Sequence, residues 1–389
     1  MAALKFRGKK RGEQTEYFFD YTLLYVVFFL LAFGLIMIYS ASSYTAFQDY
    51  SGDSGHFMKR QLIAIIMGLV AMVVVANVDY HFWRRFYVVG YVVAVIAIFL
   101  VLTPLGIESH GARRWFKIPG IGLQVQPAEL AKLCMILFLA VLVCKIGKNI
   151  GTIKGLAMML GSQLPIFLLL WRVTSNMSSA LIVMAIALLM SFVASPYYKH
   201  FVVMGLAGAA GAAAIVWYAV YSAGKGSFRM GRIVAWLNPE SQAQDKGFQT
   251  LQGLYAIGSG GIWGKGLGQS MQKLKFLPES QNDMIFSIIC EELGLFGAIA
   301  VIAMFIMLIW RMMIIANNSP DLFGAMLVVG VIGHIAVQSI LNIAVVTNTI
   351  PNTGISLPFI SYGGTSVMFL LIEIGLVLSV AKRIQLKEM

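Results

Sequence analysis

Charged side chains are scarce in this chain of 389 residues: Asp, Glu, Lys and Arg together make up 12% of it, against 59% hydrophobic residues. A soluble domain carries about a quarter charged residues, so the composition excludes an ordinary soluble protein. Apolar runs long enough to cross a bilayer recur from Tyr21 almost to the C-terminus. The sequence therefore predicts an all-α polytopic membrane protein, because a helix satisfies its own backbone hydrogen bonds in lipid.

Cysteine is also rare, and Cys134, Cys144 and Cys290 all lie inside apolar stretches. This placement argues against a disulfide framework and indicates small hydrophobic packing residues. The sequence lacks zinc-type Cys/His spacings, a P-loop and a dinucleotide fingerprint, so none of these three kinds of cofactor site is predicted. The formal net charge of +12 is more typical of cytoplasmic loops facing anionic lipid than of nucleic-acid binding.

Hydropathy predicts one domain of ten transmembrane helices within residues 18–382. We expect the spans at 18–40, 58–78, 86–105, 127–145, 152–171, 176–195, 200–223, 284–311, 322–347 and 365–382. Basic tails, 1–17 and 383–389, flank them. Since cytoplasmic helix ends are usually basic and an even number of spans returns the chain to its starting side, both termini are predicted in the cytoplasm.

Residues 224–283 then form a large extracellular loop between helices 7 and 8. Its basic residues are Lys225, Arg229, Arg232, Lys246, Lys265, Lys273 and Lys275. The alternation of the last two with Leu274 and Phe276 predicts that both lysines face one way. A basic, Gly-rich outer loop suits an anionic headgroup such as a diphosphate. A solvated loop that merely carries charge is an equally good interpretation.

Asp283 ends this loop where the eighth apolar run begins, so a carboxylate lies where water meets the bilayer. Such a carboxylate is costly unless it is paired or used. Partial burial would raise its pKa and make it a better base near neutral pH. The alternative is a helix N-terminal acid, with Asn282 or Asp283 as the cap.

Two other blocks carry charge near the predicted outer surface. Arg113 and Arg114, beside Trp115, could clamp a phosphate with their planar donor forks, or they could be interfacial anchors. Glu129 and Lys132 are three residues apart on one helical face, which predicts a structural ion pair within the membrane.

The segment 350–366 holds two prolines, three glycines and several hydroxyls, which break the apolar pattern at membrane depth. Irregular backbone there is tolerated where it lines a cavity or is buried in protein, so this segment is a candidate cavity wall. His334 and Gln338, four residues apart, are interpreted as interhelical hydrogen-bonding residues. Glu373, in the last predicted span, has no evident role.

Taken together, these blocks resemble the SEDS family (shape, elongation, division and sporulation) of bacterial peptidoglycan polymerases. The resemblance runs from Ser40-Ala41-Ser42 to Ser361-Tyr362-Gly363-Gly364. Gly266-Leu267-Gly268 followed by Gln269-Ser270 is similar to the division branch, FtsW. The elongation branch, RodA, matches less well, and sporulation-type members stay open. The chain departs from the family pattern at Gln281, Asn282 and Met284, which flank Asp283.

The resemblance implies ten transmembrane helices, a plasma-membrane location and a large extracellular loop between helices 7 and 8. It implies lipid II as substrate, β-1,4-linked glycan as product, and a class B penicillin-binding protein and other divisome membrane proteins as partners. Asp283 would be the catalytic base. Contacts with the substrate are predicted for Arg113, Arg114, Lys265, Lys273, Glu279 and Ser361. A divalent cation could share the charge of the diphosphate, although no carboxylate cluster marks a metal site.

Two other functions fit the same features. The broken backbone and buried charges would suit a lipid II flippase. A division scaffold that docks a partner without catalysis is the third interpretation.

Overall fold

The computed structural model describes residues 20–109, 112–117, 124–221, 228–240 and 247–384. The predicted tail 1–17 and residues 385–389 of the other tail lie outside these ranges. The described helices are α1 (Tyr21–Asp49), α2 (His56–Asn77), α3 (Tyr80–Arg84), α4 (Tyr87–Leu100), α5 (Pro127–Ile146), α6 (Ile153–Arg172), α7 (Met177–Ala194), α8 (Lys199–Tyr221), α9 (Phe228–Leu237), α10 (Phe248–Gly260), α11 (Ile285–Asn317), α12 (Leu322–Val346) and α13 (Gly364–Ala381).

Nine of the helices in these ranges are long and apolar enough to cross a membrane, which confirms the predicted class of all-α polytopic membrane protein. They fall on nine of the ten predicted spans. The third predicted span, 86–105, contains α4, whose 14 residues reach about 21 Å at the helical rise of 1.5 Å per residue. Pro104 lies just beyond it and disfavours helical backbone at the preceding residue. The count of ten spans therefore stays a prediction.

Helices α5, α12 and α13 form the centre of the bundle. The apolar windows of α13 and α12 are 72% and 67% buried, whereas that of α8 is 0% buried. Helix α13 packs along α2, and α12 packs against α5, α7 and α11. Because α8 is as long and apolar as its neighbours, its exposed surface is suited to lipid.

A small antiparallel sheet connects α4 to α5, in the order β1 (Gly106–Ser109), β2 (Ala112–Lys117) and β3 (Gln124–Val125). Gly106 pairs with Phe116, and the register shifts between Ile107 and Glu108. The sequence did not predict these strands. Their length is too short for a pattern of alternating side chains to stand out against the flanking apolar helices.

Helix α11 is interrupted at Gly294, whose φ of 66° lies in the left-handed region. In a continuous helix, the amides of Leu295 and Phe296 would donate to the carbonyls of Glu291 and Glu292. The interruption separates these four groups from one another. Each of them then needs another hydrogen-bonding partner, since unpaired backbone groups are costly in a membrane.

The segment 261–266, which we name the inserted segment, supplies all four partners. Its Lys265 and Gly266 amides donate to the two freed carbonyls at 3.0 and 2.9 Å. Its Gly261 and Ile262 carbonyls accept from the two freed amides at 3.0 and 3.4 Å. The predicted loop 224–283 thus holds two helices, α9 and α10, and a segment built into α11.

Replacing Gly294 by Ala is expected to destabilise the protein by about 1–3 kcal/mol, because the left-handed backbone is strained for a residue with a Cβ. The added Cβ would also lie 2.4 Å from the Gly264 nitrogen and the Ile262 oxygen. Thermal unfolding of the detergent-solubilised protein measures the effect. The matched control is Gly208→Ala on α8, where an added Cβ meets nothing within 4 Å. Equal melting temperatures for Gly294→Ala and the parent would contradict the insertion.

Candidate active site

Asp283 lies in the turn that leads into α11, outside the helix itself. The Asn282 amide donates to the Glu279 carbonyl at 2.9 Å and closes this turn. Met284 is the N-cap residue of α11 and makes no side-chain capping hydrogen bond. The alternative that Asn282 or Asp283 caps this helix is therefore wrong, and the Asp283 carboxylate is left for another role.

The Asp283 carboxylate is half-buried. Its Oδ1 accepts a long hydrogen bond, 3.4 Å, from Nε2 of Gln249 on α10. Its Oδ2 lies against Gly354, where an added Cβ would be 3.6 Å away. Burial raises the pKa of Asp283 to about 7, the charge of Glu279 adds to the rise, and Arg232 opposes it. Near neutral pH such a group can accept a proton and release it again.

The backbone around Asp283 is held from two directions. Asn342 on α12 donates to the Asp283 carbonyl at 2.8 Å and to the Ile355 carbonyl at 2.6 Å. On the other side, the Ser361 hydroxyl donates to the Asn282 carbonyl at 2.7 Å. The broken segment 350–366, predicted as a cavity wall, therefore supports the turn that carries the carboxylate.

The hydroxyl of Ser361 is fully engaged in this support. It also accepts from the Leu357 amide at 2.7 Å, and the residue is 5% exposed. A hydroxyl that donates and accepts within the protein has little capacity left for a ligand. The predicted contact of Ser361 with substrate stays a prediction, and this geometry opposes it.

Helices α9 and α10 rest on the same broken segment. Asn352 donates its Nδ2 to Gln249 Oε1 at 2.9 Å, and Arg232 on α9 donates to the Asn352 carbonyl at 3.3 Å. Trp236 donates its Nε1 to the Asn348 carbonyl at 2.9 Å. Sequence reasoning did not assign Gln249, Asn342 or Asn352 to the site. In the sequence Gln249 precedes the Gly-rich run and Asn352 lies in segment 350–366, and an amide at either place looks like any polar loop residue.

Glu129 and Lys132 form a buried ion pair at the start of α5. The distance between Lys132 Nζ and Glu129 Oε1 is 2.7 Å, and the two side chains are 1% and 6% exposed, lysine first. Ser366 on α13 donates to the other Glu129 oxygen at 3.1 Å. Lys132 Nζ also donates to Gln338 Oε1 on α12 at 2.8 Å. The pair thus joins the three most buried helices.

Gln338 extends this network to His334 and Glu373. The Lys132 ammonium can only donate, so the amide oxygen of Gln338 must face it. The same oxygen lies 2.9 Å from Nε2 of His334, which must therefore carry a hydrogen. The other ring nitrogen, Nδ1, lies 2.8 Å from Glu373. His334 and Gln338 are interhelical hydrogen-bonding residues, as predicted, and Glu373 gains the partner that the sequence did not reveal.

Lys265 and Lys273 neutralise buried glutamates of α11. Lys265 Nζ lies 2.8 Å from Glu291 Oε1, and Lys273 Nζ lies 3.0 Å from Glu292 Oε1. Ser40 on α1 donates to Glu292 at 2.6 Å. Removing either lysine from its partner would leave a buried charge unpaired. The predicted diphosphate contacts of the two lysines stay predictions that these pairs oppose.

Lys275 points away from Lys273. It is exposed and lies 2.9 Å from Asp49 at the end of α1, whereas Lys273 is 6% exposed. The prediction that both lysines face one way is wrong. The physical reason is that the backbone of Lys275 has a φ of 69°, which breaks the alternation of side chains expected in a strand.

Arg113 and Arg114 are both exposed on β2, and Arg113 Nε lies 3.5 Å from Glu108 Oε2. Arg114 lies at the register shift between β1 and β2, where the regular alternation of side chains is broken, so the phosphate clamp stays a prediction. Glu279 is exposed and contacts Asn282. Among the residues that the structure describes, no group of three His, Cys, Asp or Glu is placed to hold a metal ion.

The charge of Glu279 predicts a measurable pH effect. Activity that needs ionised Asp283 should rise with pH through about 7, the pKa of that carboxyl. Glu279→Gln removes a negative charge that raises this pKa, so the acidic limb of the pH–rate profile should move to lower pH. Burial, the larger cause, persists, so the limb should stay above the ordinary pKa range of aspartate. Asp49→Asn, an exposed acid on α1, is the control, and an unmoved limb in Glu279→Gln would contradict the assignment.

A bundle of membrane-spanning helices that holds a half-buried carboxylate with a raised pKa is the arrangement expected of a membrane-embedded enzyme. The family model FTSW_RODA_SPOVE, described as "Cell cycle protein", matches residues 21–386. The chain therefore belongs to the FtsW/RodA/SpoVE family, the SEDS family that its sequence resembles.

Two relatives match along nearly their whole lengths. "Stage V sporulation protein E" of Bacillus subtilis is 41% identical over 367 residues, covering 93% of this chain and 97% of the relative. "Probable peptidoglycan glycosyltransferase FtsW" of Trichlorobacter lovleyi is 37% identical, covering 95% and 94%. The chain is a peptidoglycan glycosyltransferase and a multi-pass protein of the plasma membrane.

Solved structures share the fold. A chain from a peptidoglycan synthase complex matches with a TM-score of 0.75 and 25% identity, over 93% of this chain and 97% of that one. Rod shape determining protein RodA of Thermus thermophilus matches with a TM-score of 0.64 and 26% identity, over 95% and 98%.

Proposed function

We propose that this glycosyltransferase polymerises lipid II into β-1,4-linked glycan strands, with Asp283 as the general base. One observation carries the proposal: the turn before α11 holds a half-buried carboxylate whose pKa is raised to about 7. Asn342 and Ser361 hold the backbone of that turn, so the carboxylate has a defined position. A pKa near the working pH is what proton abstraction from a hydroxyl requires.

In the proposed reaction, Asp283 accepts the proton of the GlcNAc 4-hydroxyl of an incoming lipid II. The oxygen attacks the anomeric carbon of the growing strand, and the bond from that carbon to the diphosphate breaks. Undecaprenyl diphosphate leaves with the bonding electrons, and the anomeric configuration inverts. The leaving group is already activated and no water is attacked, so one carboxylate suffices where hydrolysis by inversion uses two.

Cations near the leaving diphosphate would stabilise its developing charge. Arg113 and Arg114 keep this predicted role, because both are exposed and the pair of Arg113 with Glu108 is a weak surface ion pair. Lys265 and Lys273 are less suited to it, since each already pairs with a glutamate of α11. The main effect of Glu279 is that its negative charge raises the pKa of Asp283.

We propose that the polymerase works in septum synthesis beside a class B penicillin-binding protein and other divisome membrane proteins, with both termini in the cytoplasm. The similarity to a chain of a peptidoglycan synthase complex supports the partnership. The FtsW names of several relatives support the division role. The 41% identity with a stage V sporulation protein favours a second candidate, the same chemistry in sporulation.

The test is a polymerisation assay on the purified full-length protein with labelled lipid II, with and without the cognate transpeptidase. Glycan ladders on a gel are the expected result. Movement of lipid II between vesicle leaflets without glycan would favour the flippase, and neither activity would favour the scaffold.

A further inference from the structure

A group of side chains at the outer end of α2 has no part in the site described so far. Arg60 lies one turn into α2 and is exposed. Among the described residues no carboxylate lies within ion-pairing distance of it, whereas its neighbour Lys59 lies 2.9 Å from Asp53. Arginine stays protonated in proteins. An exposed guanidinium without a counter-charge is open to an anionic ligand.

Arg60 lies against the segment that supports Asp283. Its guanidinium is beside the hydroxyl of Tyr362, where it opposes the rise that burial causes in the Tyr362 pKa. The Tyr362 amide donates to the Gln281 carbonyl at 2.9 Å. Gln281 is two residues from Asp283, which is at most about 7 Å of extended chain. Tyr362 therefore links the two groups, because its hydroxyl lies beside Arg60 and its amide bonds to the turn that carries Asp283.

Gln61, the residue after Arg60, makes two further hydrogen bonds to this part of the chain. Gln61 is 0% exposed, and its Oε1 accepts from the Gly363 amide at 3.1 Å while its Nε2 donates to the Ser361 carbonyl at 3.4 Å. The first turns of α2 are thus bonded to the residues that hold the Asp283 turn. The backbone of Arg60 is therefore held close to the segment that supports Asp283.

Aromatic rings pack near Tyr362, the residue whose hydroxyl lies beside Arg60. Phe57 meets Tyr362 edge to face at 5.1 Å, and Tyr50 stacks on His56 at 3.7 Å. Tyr50 is 39% exposed, so this cluster is accessible. Rings with a polar tip give a surface that is apolar on its face and hydrogen-bonding at its edge, which suits a sugar next to a charged group.

We propose that Arg60, beside the Tyr362 hydroxyl, binds the diphosphate of the lipid-linked saccharide, with the Tyr50 and Phe57 rings next to its first sugar. The inference rests on the proposed function, since it names a further binding residue of the same site. Arginine presents a planar fork that matches two phosphate oxygens at once. Its place at the outer end of a transmembrane helix matches a diphosphate at the membrane surface with its lipid tail below.

The experiment measures binding of undecaprenyl diphosphate by the full-length protein and, separately, kcat and KM for lipid II with the cognate transpeptidase present. Arg60→Gln is expected to weaken binding by about 10- to 100-fold, the range for lost hydrogen bonds to charged groups, and to raise KM. Arg60→Lys should lie between, because it keeps the charge but loses the fork. Lys59→Gln, the adjacent paired cation, should bind as the parent does.

Three outcomes would overturn the inference. They are normal binding by Arg60→Gln with unchanged kcat, normal binding with a lowered kcat, or an equal loss of phosphatidylglycerol binding in the same detergent solution, which would mark a general anionic-lipid contact. Asp283→Asn separates this inference from the proposed function. It should bind undecaprenyl diphosphate normally without making glycan, so polymerisation by Asp283→Asn would refute the base and leave the Arg60 result untouched.

Discussion

Asp283→Asn is expected to lower the rate of glycan polymerisation by about 10²- to 10⁴-fold, the usual contribution of a positioned general base. The amide has nearly the shape of the carboxylate and can keep its place against Gln249 and Gly354. It cannot accept the proton of the attacking hydroxyl. Labelled lipid II, the cognate transpeptidase and gel analysis of the glycan measure the loss.

The same variant should remain folded, and the raised pKa of Asp283 gives the direction of the expected change in stability. Burial raises the pKa of Asp283 from its ordinary 3.8 to about 7, so the folded protein favours the neutral carboxyl. The stability that this preference contributes is present below about pH 4 and is lost as pH rises through 7. Asparagine never ionises, so at pH 8 Asp283→Asn should melt no lower than the parent.

Asp49→Asn is the matched control for activity, because Asp49 is an exposed acid that pairs with Lys275 at the end of α1. It should polymerise normally. If Asp283→Asn kept more than about a tenth of the parental rate, well above the range for losing a general base, Asp283 would not be that base.

Lys132→Met is expected to reduce the free energy of unfolding by about 3–5 kcal/mol, the cost of leaving a buried partner charge unpaired. The Glu129 side chain is 6% exposed, so water cannot replace the lost ammonium. Gln338 would lose a donor in the same step. Thermal unfolding in detergent, at fixed pH and detergent concentration, measures the change.

Removing both charges tests whether the unpaired charge of Glu129 causes the loss of stability. The double variant Glu129→Gln, Lys132→Met should be more stable than Lys132→Met alone, because no isolated charge stays buried. Lys59→Met is the control, since its exposed pair with Asp53 should contribute at most about 1 kcal/mol. If Lys132→Met melted with the parent but made no glycan, the pair would belong to the mechanism instead of the framework.

The class of protein and the position of Asp283 could be predicted from the sequence because both depend on local features. A run of about twenty apolar residues has the length of a bilayer wherever it occurs. An acid directly before such a run lies at a water boundary whatever its neighbours are. The Glu129–Lys132 spacing is equally local, since residues three apart meet on any helix.

Contacts between distant residues could not be predicted in this way. Lys265 and Lys273 looked like free loop cations, but folding places them beside Glu291 and Glu292, about twenty residues further along the chain. The sequence suggested Ser361 as a ligand for substrate, and packing turned its hydroxyl to the backbone of Asn282, 79 residues away. Neither hydropathy nor residue spacing shows which residues that are distant in the sequence will come into contact.

The order of residues alone therefore determined that this chain is a helical membrane protein and that Asp283 directly precedes an apolar run, because helix length and local charge are set within a few turns. Only the tertiary structure decided which charges are already neutralised. A cation is available to a substrate when no carboxylate has packed against it. In the described chain Arg60 meets that condition beside the segment that supports Asp283, and the sequence did not mark it.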